Sequence, residues 1–344
     1  MTKAIYQERK DDLRYAFAVG KIRAMEARLL EGIVFKRLIE AKDSSEMTRI
    51  LAETLYGELL KEGASGADFE ALLNMELIRT YQLIKNIDPD PESPSNLLAM
   101  RYDFHNLKVC LKLRTSLKEA NPFLISLGVY GPEAIRHMVA SGDYSSFPPG
   151  IAQALVHLVS ELDKLSPPSQ WIDIQIDHIA FHHLLQEARL RSVMFLAVLF
   201  RLQIDLINLK TFLRVKQMGK DRSFLHSVLI EGGEISPETL LSLLDEPLNK
   251  VISSLGSSPY AGIIREGIES YQKEGSLALL EKLIDDFMIT FIHQTRYITF
   301  GAEPLIAYLL AKENEIKNLR IVIVGKQNKL PQSLIEERLR KMYG

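Results

Sequence analysis

DFHNLK at Asp103–Lys108, DLINLK at Asp205–Lys210 and EIKNLR at Glu315–Arg320 are three versions of one phrase: acid, two variable residues, Asn, Leu, base. The copies start 102 and 110 residues apart. At ordinary residue frequencies about 0.02 chance matches are expected in a chain of this length. Three in step therefore indicate an internal repeat of about a hundred residues. The match extends outward. Glu76, Asp177 and Asp286 sit 27, 28 and 29 residues before the acid of each copy, each in an amphipathic stretch. After the phrases come GPEAIRHMV from Gly131, SPETLLSLL from Ser236 and LPQSLIEERL from Leu330, each with Pro at or near a first helical turn.

The surrounding periodicity is helical almost throughout. Tyr15–Ala41 carries Ile22, Met25, Leu29 and Ile33 at helical spacing, which predicts a helix. Ser44 starts the next one, and Glu46 suits its first turn. Residues Gly63–Gly66 break the pattern, Asp68–Asn86 resumes it, and the three prolines of DPDPESPS (Asp88–Ser95) force a loop. A helix opened by Ser95 or Asn96 carries the first phrase to about Ala120. Shorter segments at Gly131–Ser141 and Gly150–Leu165 precede the Ser166–Ser169 break. Helices then follow at Ile174–Glu187 and about Arg189–Met218. The third stretch reads as helices at Pro237–Leu244, Tyr260–Tyr271, Leu277–Phe300 and Glu303–Gly325. The β-branched IVIV of Ile321–Val324 suits a short strand, but its register with VCLKL and TFLRV favours a helix end. The expectation is an all-α chain of three similar helical units, 1–120, 121–222 and 223–344.

In a helix the acid and Asn of each phrase share a face, while Leu107, Leu209 and Leu319 point elsewhere, into a core. Two readings stay open for the nine polar positions Asp103, Asn106, Lys108, Asp205, Asn208, Lys210, Glu315, Asn318 and Arg320. They are structural, with each Asn bonding a neighbouring helix or loop to hold a domain junction. Alternatively the charges line a polar opening that receives a partner by complementarity.

Composition excludes several classes. Lys and Arg total 42 against 44 Asp and Glu, so no basic excess points to nucleic acid. The longest apolar run, Val193–Phe200, is eight residues, far short of the roughly 20 needed to span a bilayer. The N-terminus lacks an apolar core of signal-peptide length. The single cysteine, Cys110, lies in an apolar context that suits a buried thiol.

Catalytic signatures are missing. Gly325-Lys326 lacks the upstream glycine of a phosphate loop, and no GxGxxG, GxSxG or HExxH occurs. In DHIAFHH, His178 and His182 are placed to share a metal, with Asp177 and His183 beside them. A surface helix bearing histidines explains the same residues. Asp285-Asp286 are adjacent on a helix and face apart. No cofactor and no metal site is expected.

The chain resembles the C-subunit family of the V-type ATPases and ATP synthases, the central-stalk component known as d in eukaryotic enzymes. The resemblance rests on YAFAVGKIRAMEARLL with FKRLIEAKDSSEMTRILAETLYG at the N-terminal end. It rests equally on DLINLKTFLRVK in the middle and AKENEIKNLRIVIVGKQNKLPQSLIEERLRKMYG at the C-terminal end. It spans nearly the whole chain and is loosest over about Ala120–Gln175. It implies three helical domains around a pseudo-threefold axis in a funnel, with no catalytic residues and no cofactor. It also implies a peripheral place on the cytoplasmic face of a membrane, between the central rotor shaft subunits and the membrane proteolipid ring. A helical-repeat scaffold for some other helical partner is the alternative.

Overall fold

A computed structural model describes residues 11–62, 68–114, 123–165 and 167–344. Among them every regular element is helical, so the all-α expectation holds. Helices α1 (Ala16–Glu26), α2 (Gly32–Glu40), α3 (Ser44–Ala52) and α4 (Tyr56–Lys61) lead to the long α5 (Phe69–Ile87). Then come α6 (Ser95–Leu113), α7 (Pro132–Ser141), α8 (Pro149–Leu165), α9 (Ser169–Leu190) and α10 (Met194–Gln217). They are followed by α11 (Arg222–Val228), α12 (Pro237–Ser242) and α13 (Leu248–Ser254). The last stretch holds α14 (Ala261–Glu274), α15 (Ala278–His293), α16 (Glu303–Gln327) and α17 (Gln332–Arg338). The Gly63–Gly66 break and the end of the first phrase helix near Ala120 lie outside the described residues.

Local chemistry sets many of the ends. Asp43 and Asp68 accept the N–H groups of Glu46 and Ala71, capping α3 and α5. Glu46 in turn accepts the N–H of Lys42, one residue before the cap, which ties the entering chain to the first turn. Pro132 and Pro237 open α7 and α12, where a missing N–H costs little.

The helices gather into two compact units that do not follow chain order. Among the described residues one is Asn96–Ser254; the other joins the stretch from residue 11 to Ser95 with Leu255–Gly344. In the second, α16 packs on α1, α2, α5, α15 and α17. It is buried on all sides, which explains why its apolar residues form no single stripe. In the first unit α10 is buried in the same way and packs on α9 and α11. Ile321–Val324 continue α16 as helix, because Val322 and Ile323 are buried in that packing.

Two expected helices are interrupted. Tyr15–Ala41 breaks after Glu26 and restarts at Gly32. The Leu30 N–H, which a continuous helix needs, is instead donated to Glu315 at 2.6 Å. Arg189–Met218 breaks at Arg191–Val193, where Ser192 turns to a positive φ of 55° and the Val193 N–H closes on the Ala188 carbonyl.

Candidate functional site

The three phrases occupy α6, α10 and α16, and their Leu residues are buried as helical spacing predicts. In the first copy Asn106 donates to the Ile125 carbonyl and accepts the Ile125 N–H, both at 2.9 Å. In the second, Asn208 does the same to Ile230 at 2.7 and 2.9 Å. In the third, Asn318 does so to Arg340 at 3.0 and 2.8 Å. A side-chain amide can satisfy one donor and one acceptor at once. Each Asn thus supplies what a neighbouring strand would give an extended segment. All three Asn side chains are fully buried.

The acids grip the backbone further on. Asp103 accepts the N–H groups of Val129 (2.7 Å) and Tyr130 (3.1 Å), just before α7. Asp205 accepts those of Glu234 and Ile235, both at 3.0 Å, just before α12. Glu315 accepts the Leu30 N–H, just before α2. The first two copies thus hold backbone 26 to 30 residues further on, whereas the third holds a segment near the N-terminal end of the chain, 285 residues back. The approach is close: a Cβ on Gly128 would lie 2.0 Å from Asp103 Oδ1, and one on Gly233 would lie 2.1 Å from Asp205 Oδ1. Both glycines lie three residues before the residue preceding Pro132 or Pro237, in a shared pattern G-x-x-[GS]-P that periodicity alone does not single out.

The phrase is longer than six residues. Eight positions after each Asn stands another base: Arg114, Lys216 and Lys326. Lys216 Nζ donates to the Leu244 and Glu246 carbonyls beyond α12, at 2.5 and 2.6 Å. Lys326 Nζ donates to the Ile39 and Ala41 carbonyls at the end of α2. Each cation thus meets carbonyls that the end of a helix leaves unpaired. Arg114 pairs with Asp163 on α8. The phrase's own bases reach sideways. Lys108 pairs with Asp177 on α9 at 2.5 Å, next to a Lys112–Asp173 pair at 2.5 Å. Arg320 pairs with Glu70 on α5 at 2.7 Å and donates to Asn74 at 3.1 Å. Lys210 is half-buried on α10. These partly exposed pairs contribute about 0–1 kcal/mol each.

The upstream acids also find distinct roles. Asp177 meets Lys108, Asp286 accepts the Lys341 N–H at 2.5 Å, and Glu76 lies 3.3 Å from Lys312. Lys312 is fully buried and also pairs with Glu315 at 2.7 Å; Glu315 in turn accepts the Tyr56 hydroxyl at 2.9 Å. Burial opposes the Lys312 charge, but Glu315, Tyr308 and Glu76 outweigh it and hold the ammonium protonated. Burial raises the Glu76 carboxyl above the usual range despite the lysine. Burial, aided by Glu315 and Glu76, raises the Tyr56 hydroxyl as well. In the first copy burial pushes Asp103 up to about 7, against the two backbone N–H groups that favour its ionised form.

The sequence-level alignment of the third Pro-started helix needs correction. Gly219 and Lys329 stand 11 residues after Asn208 and Asn318, and both take a positive φ at a helix end, 61° and 55°. The helices that follow, α11 and α17, both precede the residue clamped by Asn. LPQSLIEERL is thus the counterpart of the α11 stretch, not of SPETLLSLL, and its proline is a coincidence of the shared turn.

Cys110 is buried, and burial raises its thiol. Asp177 is engaged by Lys108, and among the described residues no group of three His, Cys, Asp or Glu is placed to hold a metal. Nor is any described helix long and apolar enough to cross a membrane.

A helical protein without a catalytic constellation among its described residues is the class that these features define: three phrase-bearing helices, each locking a distant segment through buried carboxylate and amide side chains. Comparison with known proteins agrees. The sequence profile of the ATP synthase (C/AC39) subunit matches residues 18–338. The C subunit of the V-type sodium ATPase of Enterococcus hirae is 29% identical, over 94% of this chain and 97% of the relative. The C subunit of the A-type ATP synthase of Methanosarcina acetivorans is 28% identical, over 97% of this chain and 94% of the relative. That of Methanocaldococcus jannaschii is 28% identical, over 93% and 85%. The chain belongs to the ATP synthase (C/AC39) subunit family, and it is a non-catalytic subunit rather than an enzyme.

Proposed function

We propose that this chain is the rotor adaptor of a V- or A-type ATPase/ATP synthase. It joins the central shaft subunits to the membrane proteolipid ring, on the cytoplasmic face, so that torque passes between ATP chemistry and ion movement. The observation that carries the reading is the grip of the third phrase on the N-terminal segment, Glu315 on Leu30 and Lys326 on the end of α2. It supports three repeats, near 1–120, 121–222 and 223–344, tied in a closed order in a pseudo-threefold funnel. A body closed in this way resists twist, as an adaptor under torque must. In this reading the nine phrase residues are joints between repeats, and the surfaces they leave free meet the shaft and the ring. The relatives' names, one from a sodium ATPase and others from ATP synthases, support the assignment to a rotary complex.

The test is purification of the native complex in detergent through a tag on this chain, with mass spectrometry of everything bound. Ring and shaft subunits are expected together, and their absence overturns the reading. In the same complex, Lys108→Glu, Lys210→Glu and Arg320→Glu combined are expected to leave ATP hydrolysis by the head while ion movement per ATP falls. Undiminished coupling removes the phrase from the torque path.

A further inference from the structure

Leu339–Gly344 follows α17 without regular structure and is tied to the rest of its unit by side chains. Among the described residues no main-chain to main-chain hydrogen bond reaches residues 340–344. Lys282 of α15 donates to the Leu339 carbonyl at 2.6 Å. Asn318 holds both backbone groups of Arg340, and Asn314 donates to the Lys341 carbonyl at 2.9 Å. Asp286 accepts the Lys341 N–H at 2.5 Å, and Arg296 donates to the Tyr343 carbonyl. Within this strap only Tyr343 is buried, at 3% exposure.

Tyr343 carries the strap across to α1. The Arg296 guanidinium lies over its ring, 4.6 Å from the centre, and the His293 ring stands 5.4 Å away. Its hydroxyl donates to Glu26 Oε1, at the last residue of α1, at 2.8 Å. Burial pushes that hydroxyl up to about 12, so it stays a donor. Glu26 Oε2 accepts from Arg23 Nη1 at 2.6 Å. Arg23 Nη2 donates to the Thr295 and Ile298 carbonyls at 2.7 and 2.8 Å, on either side of Arg296. The contacts close a ring: Tyr343, Glu26, Arg23, the Thr295–Ile298 turn, Arg296 and back to Tyr343. A member that leaves strands a polar group of its neighbour with little access to water, so the ring is lost as a whole. The apolar anchorage of α1 is light. Of its 11 residues only Ala18, Val19 and Ile22 are buried, in packing on α16, while Phe17 is 73% exposed.

We propose that Leu339–Gly344 and α1 form a latch that opens as one unit while α15 and α16 stay folded. Hydrogen bonds from side chains, with few apolar contacts, put both pieces at the low-stability end of the unit. Closed, the strap pins the last turn of α1 to the Thr295–Ile298 turn. Open, it uncovers Ala18, Val19 and Ile22 and the face of α16 that they cover. The device lies within one unit and does not rest on the rotor reading.

The test is hydrogen exchange of the full chain across a series of low denaturant concentrations, read by mass spectrometry of fragments. In the unmodified chain the fragments holding α1 and the strap are expected to exchange through one opening, with the same dependence on denaturant. That opening should be at least about tenfold more frequent than those of α15 and α16. Tyr343→Phe keeps the ring and removes the bond to Glu26. It should speed both fragments at least about tenfold and leave α15 and α16 unchanged. Glu26→Gln should act on the same two fragments, and the two changes combined should add little to the larger single effect. Acceleration of one fragment alone, of neither, or of the whole unit overturns the proposal. So does a different denaturant dependence for the two fragments in the unmodified chain, which decides the matter if the variants do not fold.

Discussion

Asp103 shows how one buried carboxylate sets a condition on stability. Its pKa rises from an ordinary 3.8 to about 7 because burial outweighs two backbone N–H donors. Between those values the folded chain keeps a proton that the unfolded chain has released. Its contribution to stability is therefore full below about pH 4 and is lost as pH rises through about 7, by up to roughly 4 kcal/mol. Urea unfolding at pH 5 and pH 8 is expected to show this fall in the natural chain and a flatter response in Asp103→Asn. Identical pH slopes in the two proteins exclude Asp103 as the titrating group. Neither the proton nor the clamp was visible in DFHNLK alone. Acid, Asn and Leu at helical spacing show which side chains share a face. The Val129 and Tyr130 N–H groups that complete the site are supplied by a turn whose close approach depends on Gly128.

Among elements, the ends of α10 and α16 offer a direct comparison. Both close on a residue at positive φ, and both close the turn with an N–H bonded five residues back: Lys220 to Val215, Leu330 to Gly325. One uses Gly219 and the other Lys329 for the same backbone shape. A side chain there costs about 1 kcal/mol, since Cβ crowds the carbonyl in the left-handed region. Lys329→Gly is expected to raise stability by about 0.5–1 kcal/mol, and Gly219→Ala to lower it by about 1 kcal/mol, by chemical denaturation. No neighbour lies within 4 Å of a Cβ at Gly219, so the effect there is conformational and not steric. A loss of stability in Lys329→Gly would mean that the lysine side chain makes contacts outweighing this strain. At this scale the sequence was most readable where punctuation was local, as at Asp68, Pro132 and Pro237. It was least readable at the breaks near Leu30 and Ser192, which contain neither proline nor a turn dipeptide.

For the molecule as a whole, the second unit depends on segments from the two halves of the chain meeting at Lys312. This lysine lies between Glu76 of α5 and Glu315 of α16, with Tyr56 bonded to the second carboxylate. Removing it leaves two carboxylates facing each other out of water. Lys312→Met is expected to cost about 3–5 kcal/mol, and adding Glu76→Leu to recover part of that loss. Hydrogen exchange should accelerate first across Leu30–Tyr56, while the Ile125–Tyr130 clamp in the other unit keeps its protection. Uniform acceleration over both units would show that the cluster does not specifically fasten the N-terminal helices.

Helical character, the positions of most helices and the threefold phrase were determined by the sequence by itself, because all three rest on local rules. Periodic burial needs only side-chain spacing, proline needs only its own ring, and a repeat is visible by comparing the chain with itself. The tertiary structure decided what each polar residue is for. Glu315 and Leu30 are 285 residues apart, and their hydrogen bond both breaks an expected helix and gives the third acid its role. The sequence pattern does not display that bond, because a hydrogen bond between distant segments depends on the packing that brings them together.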